Sequence, residues 1–408
     1  MTADESFVFD PRDLIMPPYE KCEACGADKL GLLSVRGQRL IKRCKVCLGT
    51  QVLDLPPVKK ALIYLDQHAV SHLAKALHPD TRDKYLEGNP ATQDGFWRDA
   101  FAKLDRLHSL QLLACPESQI QRTESLMDSR LTEQLRTLYE HLSGDVSFIS
   151  ADEIQGGQIS AAFKAWLDGV SPNHGDRTFP LRRDPDQWLD KLRLSVNMGL
   201  EDLEAADARA LRDRRQLDPF FSAISNGAQL SWEEYYDGEV KHAPDLVASP
   251  HAQVMLKHVL EASGIPDERW AEKITDFGNS DELKRIPVLE IYMGILASYA
   301  VEIAGHRAKR PTRGMYFDLS GIASFLPYCD AIFIDRECNR WLRDAKAHGK
   351  ADWPTRVFTI DTRDEFLAYL DEIERSAPSG HEDLVLRVYG DSFLKPFWEL
   401  FEWRQASD

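Results

Sequence analysis

The sequence predicts a mixed α/β protein in which a parallel β-sheet is flanked by helices, with a large helical insertion and a small cysteine-rich module ahead of the sheet. Short apolar runs alternate with amphipathic stretches near both ends of the main domain, a rhythm typical of parallel sheets. Between them, residues 151–305 have an almost wholly helical pattern. Four cysteines stand in two close pairs before the first apolar run. These observations define the predicted architecture.

The composition is that of a folded globular chain with a strong negative charge. Hydrophobic residues make up 43% and charged residues 28% of the 408 residues, and the formal net charge is −16. That charge disfavours a protein that coats nucleic acid or an anionic membrane over its whole surface. The first residues lack a basic stretch followed by an apolar run, and no segment reaches about 18 consecutive apolar residues. We therefore expect a cytoplasmic protein without membrane association.

The paired cysteines have the spacing of a four-cysteine zinc site. Each pair is followed by a glycine, Gly26 or Gly49, which lets the backbone turn so that its amides face the sulfurs. Alternating apolar residues around Arg36-Gly37 predict a hairpin between the pairs. We therefore predict a zinc ribbon over residues 1–55. Its ligands are Cys22, Cys25, Cys44 and Cys47. Four cysteines leave no open coordination position, so the zinc is expected to be structural.

The ribbon also has a basic character, and its role is left open. Its basic residues are Arg36, Arg39, Lys42, Arg43 and Lys45. They could grip nucleic acid, or the ribbon could serve as a scaffold or a protein-docking element. The remaining cysteines, Cys115, Cys329 and Cys338, lack partner spacing and are predicted to be buried small apolar residues. Metal binding with unpaired cysteines indicates a reducing compartment.

Five apolar runs are predicted as strands of the main domain. They are Lys60–Leu65, Leu110–Ala114, Val146–Ile149, Ala331–Ile334 and Arg356–Ile360. Predicted helices include Gln67–Leu77, one starting near Glu117, and Arg363–Glu374. Residues 60–150 and 306–408 would thus form the two parts of one α/β domain, separated by the helical insertion at 151–305.

Four acidic residues are predicted to converge at one edge of this sheet, because functional groups of open parallel sheets gather at the carboxyl ends of the strands. They are Asp66, Glu124, Asp318 and Asp335, and Asp318 is expected to open the helix before the fourth strand. Taken singly, each could be a helix cap, a turn residue or a surface residue. Together they would repel one another unless cations neutralised them, and oxygen ligands favour Mg²⁺ or Mn²⁺. Such a site can hydrolyse phosphodiester bonds of nucleic acids.

Four other acidic and histidine residues of the main domain have more ordinary interpretations. Asp330 precedes the fourth strand and is read as structural, whereas Asp361 is predicted to cap the helix Arg363–Glu374. His68 and His72 are four apart, so they share a helix face. Because we find no third ligand for a zinc pair, packing or substrate contact is favoured.

The strand and acid segments together resemble the PIN-like nuclease family. The similar segments are Tyr64-Leu-Asp66-Gln-His, Cys115-Pro-Glu-Ser118 through Glu124-Ser-Leu, Asp318-Leu-Ser-Gly-Ile-Ala, and Leu326 through Asp335-Arg. They fall within residues 60–150 and 285–375. The resemblance implies a Mg²⁺- or Mn²⁺-dependent endonuclease that acts on single-stranded RNA. The gap from Glu124 to Asp318 is far longer than in compact members, so the insertion could be a lid, a substrate channel or a homodimer surface.

A basic stretch before Asp318 is predicted to steady the nucleic-acid backbone. Its residues are Arg307, Lys309, Arg310 and Arg313, and Arg336 beside the last acid joins them. Two alternatives stay open. One is a non-catalytic module that binds RNA or a protein, and the other is a DNA nuclease of phage defence or a toxin held by an inhibitory protein partner.

Overall fold

A computed structural model describes most of the chain. The longest stretch outside the described residues is 183–230, within the insertion. The described residues are 10–36, 38–78, 95–121, 132–144, 146–182, 231–239, 250–349, 353–390 and 394–397. The predicted acid Glu124 and part of the predicted helical insertion, including its charged amphipathic stretch at residues 188–215, lie outside them. The architecture below concerns the described residues.

The N-terminal module is a four-stranded antiparallel sheet in the order β1-β2-β3-β4. Its strands are β1 Met16–Glu20, β2 Leu30–Arg36, β3 Arg39–Cys44 and β4 Thr50–Asp54. The predicted hairpin is β2 and β3, which pair in antiparallel fashion. The two outer strands were not predicted. Pro17 and Pro18 argue against a strand at β1 in the sequence, because proline has no N–H to donate. Both prolines are tolerated because β1 is an edge strand and pairs on one side only.

The main sheet is four-stranded and wholly parallel, in the order β6-β5-β7-β8. Its strands are β5 Ala61–Leu65, β6 Leu113–Ala114, β7 Ala331–Phe333 and β8 Arg356–Phe358. Four of the five predicted strands are therefore present in shortened form. The prediction of a strand at Val146–Ile149 is wrong: this segment makes only the isolated bridges Glu117↔Ser147 and Phe148↔Leu181. Its apolar residues reflect burial, since Phe148 is packed in the core.

Twelve helices with defined bounds surround the sheet in the described residues. They are α1 Gln67–Leu77, α2 Phe96–Ser109, α3 Thr132–Ser143, α4 Ala151–Asp168, α5 Pro250–Ala262, α6 Trp270–Gly278, α7 Asp281–Lys284, α8 Pro287–Ala304, α9 Arg313–Phe325, α10 Arg336–Ala347, α11 Arg363–Arg375 and α12 His381–Tyr389. Helix α1 has the predicted bounds. The described part of the insertion is predominantly helical, as expected.

The two faces of the main sheet are buried in separate clusters of apolar side chains. Successive residues of β5 alternate between them: Leu62 and Tyr64 face one cluster, and Ile63 and Leu65 face the other. The first cluster contains residues of α4, α5, α6, α8, α9 and α10. The second contains residues of α1, α2, α3, α11 and α12, together with Leu32 of the N-terminal module. The described insertion helices thus share one core with the sheet.

Helix α8 is, among the described residues, long and apolar enough by length and composition to cross a membrane. Half of it is buried within the chain, and it packs against α9 and α10. Near its end, the Glu302 carboxylate accepts hydrogen bonds from Arg340 and from the Trp341 indole, each 2.8 Å long. These contacts are those of a core helix, and they fix α10 in place.

A candidate metal centre at the carboxyl edge of the sheet

Asp66 and Asp335 follow two neighbouring parallel strands and cap the helices that come next. Asp66 Oδ1 accepts a 2.8 Å hydrogen bond from the Ala69 N–H at the start of α1. Asp335 Oδ1 accepts hydrogen bonds of 2.6 and 2.9 Å from the N–H groups of Glu337 and Cys338 at the start of α10. Capping, the ordinary interpretation of Asp66, is therefore present for both residues. Because β5 and β7 are paired and parallel, both caps lie at the same edge.

Asp318 reaches this edge from α9. The prediction that it opens the helix is wrong, because Thr312 is the N-cap and its hydroxyl accepts from the Met315 N–H at 3.3 Å. Asp318 instead lies in the second turn of α9. Carboxylate oxygens of Asp318 and Asp335 lie with the Cys338 Sγ atom within 4.8 Å of one another. Two predicted site residues, Asp318 and Asp335, and one that was not predicted, Cys338, therefore bring possible metal-binding atoms together.

Asp66 follows the strand next to the one that Asp335 follows, but its carboxylate is not part of the set of donor atoms within 4.8 Å of one another. Burial raises the pKa of Asp66 well above its usual range, and the nearby charges of Asp335 and Asp318 raise it further. Backbone N–H groups of Ala69 and Asp335 act in the opposite direction, because they stabilise the carboxylate. The three carboxyl groups repel one another when all are ionised. A divalent cation would relieve that repulsion, so the donor set fits a metal ion.

Cys338 is the residue of this cluster that the sequence analysis did not assign to it. Its side chain is buried as predicted, with 3% exposure. Burial raises the pKa of its thiol, and the Asp335 charge, a hydrogen bond to Asp335 and the charges of Asp318 and Asp66 act in the same direction. A sequence signal existed: Cys338 is three residues after Asp335, where a side chain on the first turn lies beside the cap. Cys115 and Cys329 are buried away from the cluster, in the apolar cores.

The fourth predicted acid, Glu124, lies outside the described residues. The last described residue before it is Gln121, in a helical segment that begins after Ser118. Gln121 Nε2 donates to the carbonyl oxygen of Leu65, the residue immediately before Asp66. Ser118 and Gln121 also bond reciprocally, since each backbone N–H donates to the other's side chain, at 2.7 and 3.2 Å. This places the start of the segment beside the carboxylate cluster.

Asp330 and Asp361 lie outside the cluster. Asp330 is at the amino end of β7, where it accepts a 2.8 Å hydrogen bond from the Leu62 N–H and pairs with Arg177. That is the opposite edge, in agreement with a structural role. Asp361 does not cap α11, because it sits in a 3₁₀ turn at 360–362 and forms a 2.7 Å ion pair with Arg336. The helix α11 follows directly from that turn.

The basic residues predicted to hold the nucleic-acid backbone make surface ion pairs. Lys309 pairs with Glu337 at 3.1 Å and Arg310 with Asp237 at 3.0 Å, in addition to the pair of Arg336 described above. The Lys309 side chain is 82% exposed. Exposed pairs of this kind contribute only about 0–1 kcal/mol, so a phosphate can replace the acidic partner at little cost. Arg307 is exposed beside Gly305, and the side chain of Arg313 is outside the description.

His68 and His72 share a face of α1, as expected, and their rings are in contact. The centroids are 4.1 Å apart, and the His72 ring stacks on Trp97 at 5.0 Å with an interplanar angle of 11°. Burial lowers the pKa of His72 to about 4, helped by His68 and Lys75. His72 therefore stays neutral at physiological pH and packs, as the sequence predicted.

The four paired cysteines of the N-terminal module form a second, separate cluster, with all four sulfurs within 4.8 Å of one another. Cys22 and Cys47 sulfurs are 3.6 Å apart, and those of Cys25 and Cys44 are 3.7 Å apart. Four thiolates on a tetrahedral ion with bonds of about 2.3 Å are separated by about 3.8 Å. Because the observed spacing matches, this cluster can bind a metal ion such as zinc.

The thiols of this cluster differ in acidity for local reasons. A backbone hydrogen bond from Cys47, with a second from Val46, lowers the pKa of Cys44 to about 7 although burial opposes this. For Cys25 the backbone hydrogen bond from Ala27 lowers the pKa, but burial and the neighbouring sulfurs outweigh it and raise the pKa to about 12. Crowded sulfurs therefore resist joint ionisation until a cation is present.

The basic residues of the module make contacts of several kinds. Lys42 is buried at 1% exposure and pairs with Glu20 at 2.5 Å, so it is not a surface contact. Arg39 pairs with Asp54 at 3.6 Å. Arg43 is bonded to the Leu48 carbonyl oxygen at 3.2 Å, and the Lys45 ammonium lies 5.4 Å from the centre of the half-exposed Tyr19 ring. The side chain of Arg36 is outside the description.

Comparisons of this chain with protein-family models, with curated proteins and with solved structures found no match. The functional inference below accordingly starts from the two clusters: a four-cysteine site that can hold a metal ion, and a carboxylate site at the carboxyl edge of a parallel sheet flanked by helices.

Proposed function

We propose that this protein is a metal-dependent nuclease of the PIN-like type, which hydrolyses phosphodiester bonds of nucleic acid with Mg²⁺ or Mn²⁺. The observation that supports this most is that Asp318 and Asp335, from distant segments of the chain, have carboxylate oxygens within 4.8 Å of each other, with Asp66 following the neighbouring strand. Each acid is brought by a different element to the edge where ligands of parallel sheets bind. Glu124 completes the set by the family resemblance.

The protein residues have separate roles in this proposal. Asp318 and Asp335 hold the cation, with Asp66 beside them, and the cation when bound supplies a Lewis acid that activates water and stabilises charge on the phosphate. The first turns of α1 and α10 point their N–H groups toward the same edge, because Asp66 and Asp335 are their caps. Helix N-termini attract phosphate groups.

The proposal also includes a substrate for the main domain and a structural metal for the N-terminal module. The RNA preference comes from the family resemblance, with single-stranded RNA as the expected substrate. The side chains of Lys309, Arg310 and Arg336 form ion pairs in which a phosphate can replace the acidic partner, and they would contact the RNA backbone. A structural zinc at the four cysteines would hold the N-terminal ribbon together. The free cysteines fit a reducing compartment such as the cytoplasm.

A non-catalytic module that binds RNA or protein is the second candidate. The observation in its favour is that Asp66 and Asp335 already cap helices, so capping alone explains an acid at each position. Capping does not explain Asp318, which lies within α9. The response of the protein to divalent ions therefore discriminates between the two candidates.

The test is cleavage of end-labelled single-stranded RNA and DNA with Mn²⁺ or Mg²⁺, by the wild type and two matched variants. Asp318→Asn removes a cluster acid that caps no helix, whereas Asp330→Asn makes the same change at the opposite edge. We expect metal-dependent cleavage of RNA that Asp318→Asn abolishes and Asp330→Asn retains. Omitting the added metal is the control, because strong chelators would also strip zinc from the ribbon. Cleavage of neither substrate by the wild type supports the binding module; cleavage of DNA alone supports a DNA nuclease.

A further inference from the structure

The carboxylate cluster contains a sulfur donor as well as oxygen donors. Cys338 Sγ and one oxygen each of Asp318 and Asp335 all lie within 4.8 Å of one another. Two ligands on opposite sides of one ion, with a bond of about 2.3 Å to sulfur and about 2.2 Å to oxygen, are about 4.5 Å apart. Only one of the three pairs can lie on opposite sides of an ion, and adjacent ligands are about 3.2 Å apart, so the side chains must rotate toward one another before all three atoms bind the same ion.

The position of the thiol follows from the helix start. Asp335 caps α10, and Cys338 lies on the first turn, where its own N–H donates to Asp335 Oδ1 at 2.9 Å. Its thiol also hydrogen-bonds to the Asp335 carboxylate and feels the charges of Asp318 and Asp66. With 3% exposure the side chain cannot turn away into solvent. The sulfur is thus held against the carboxylates by the cap geometry.

A thiol among carboxylates changes which ion the site prefers. Carboxylates alone suit hard ions such as Mg²⁺, whereas a thiolate favours transition-metal dications. Mg²⁺ also demands near-ideal octahedral oxygen coordination and gives up its water reluctantly.

We propose that Cys338 is a direct metal ligand together with Asp318 and Asp335, so that this site takes a transition-metal dication such as Co²⁺ or Zn²⁺ in preference to Mg²⁺. The inference rests on the proposed metal site and refines it. When the ion binds, the metal–sulfur bond replaces the S–H bond, and the proton passes to the buffer.

The alternative explanation is that Cys338 is only a small core residue. It belongs to an apolar cluster that also contains Cys329, which is 5% exposed and lies beside Asp330 at the other edge of the sheet. Cys329→Ser is therefore a matched control for Cys338→Ser: the chemical change and the burial are the same, and only the distance from the Asp318 and Asp335 pair differs.

The experiment uses the full chain with one equivalent of Zn²⁺ already bound to the ribbon, titrated with Co²⁺ and followed by ultraviolet and visible absorption. We expect a sulfur-to-cobalt charge-transfer band in the wild type and in Cys329→Ser, and its loss in Cys338→Ser. Any exchange of ribbon zinc for cobalt contributes equally to all three proteins and cancels in the difference spectra. Calorimetric titration should show Co²⁺ affinity falling by about 10-fold or more in Cys338→Ser, by analogy with the loss of supporting ligand contacts, while Mg²⁺ affinity changes much less.

The outcomes separate this inference from the proposed function. A Cys338→Ser protein with the wild-type cobalt spectrum and Co²⁺ affinity would overturn the role of Cys338 and leave the carboxylate site standing. A wild type that binds no ion beyond the ribbon's would overturn both proposals. If Cys338→Ser fails to fold by circular dichroism, ¹¹³Cd NMR of the wild type decides the matter: a second resonance without the high-frequency shift of a sulfur ligand contradicts the assignment, and one with that shift supports it.

Discussion

The substitution Asp335→Asn removes one negative charge from the carboxylate cluster and keeps the size of the side chain. Oxygens of Asp318 and Asp335 are within 4.8 Å of one another. At that separation two unit charges repel by about 3.5 kcal/mol with an effective dielectric constant of about 20. Both residues are half-buried, so solvent and salt reduce this to roughly 1–3 kcal/mol.

The substitution also has a cost at the helix start. Asn is about as good an N-cap as Asp, so the hydrogen bonds from Glu337 and Cys338 can persist. They become weaker because the acceptor is neutral, and the interaction with the helix dipole is lost, together about 1 kcal/mol. We therefore expect the metal-free variant to be more stable than the metal-free wild type by roughly 1 kcal/mol at neutral pH.

Added metal should reverse the order. Mn²⁺ at about 100 times its dissociation constant would stabilise the wild type by about 2.7 kcal/mol, whereas the variant should gain little. The assay is urea unfolding in metal-depleted buffer with and without Mn²⁺, with zinc kept on the ribbon.

The matched control is Asp330→Asn, which changes an Asp at the other end of β7. It weakens the contacts to Leu62 and Arg177, so it should cost about 1–3 kcal/mol in both buffers and keep the full Mn²⁺ response. The reasoning is refuted if Asp335→Asn is less stable than the wild type without metal, or if it retains the wild-type response to Mn²⁺.

Three further predictions concern pH, packing and zinc. Because the pKa of Asp66 is raised by burial and by its acidic neighbours, the metal-free protein should lose stability as the pH rises from about 4 through the folded-state pKa. Urea unfolding at a series of pH values measures this slope, and Asp66→Asn should flatten it. An unchanged slope in the variant would contradict the prediction. A Cβ at Gly31 would lie 2.5 Å from the Met16 carbonyl oxygen, so Gly31→Ala should destabilise the ribbon by about 1–3 kcal/mol. Hydrogen exchange of the β1 amides measures this loss. Unchanged exchange would contradict the prediction and show that β1 shifts to accommodate the methyl group. Wild-type protein should contain one zinc per chain by elemental analysis. Cys44→Ser should lose this zinc and become sensitive to proteolysis between residues 20 and 50, because structural zinc contributes about 10–16 kcal/mol of apparent binding energy. Zinc retained by Cys44→Ser would exclude the four-cysteine site.

The N-terminal module shows how far local spacing reaches. The four cysteines, the two glycines and the hairpin were readable because a metal knuckle and a tight turn involve residues close in sequence. The outer strands β1 and β4 were not, since their pairing depends on contacts with β2 and β3 and not on their own composition. The burial of Lys42, one of the basic residues that could grip nucleic acid, was not readable for the same reason: only the folded sheet buries it against Glu20.

The main domain divides in the same way. The sequence by itself determined the strand–helix alternation, the helix α1 with its Asp66 cap, and the placement of Asp66 and Asp335 after apolar strands, because periodicity and capping are local properties. Only the tertiary structure decided that Val146–Ile149 is not a strand, that Asp318 lies within α9, and that Cys338 faces the acids. Those outcomes depend on which elements pack together across hundreds of residues, and long-range packing leaves no fixed spacing in the sequence.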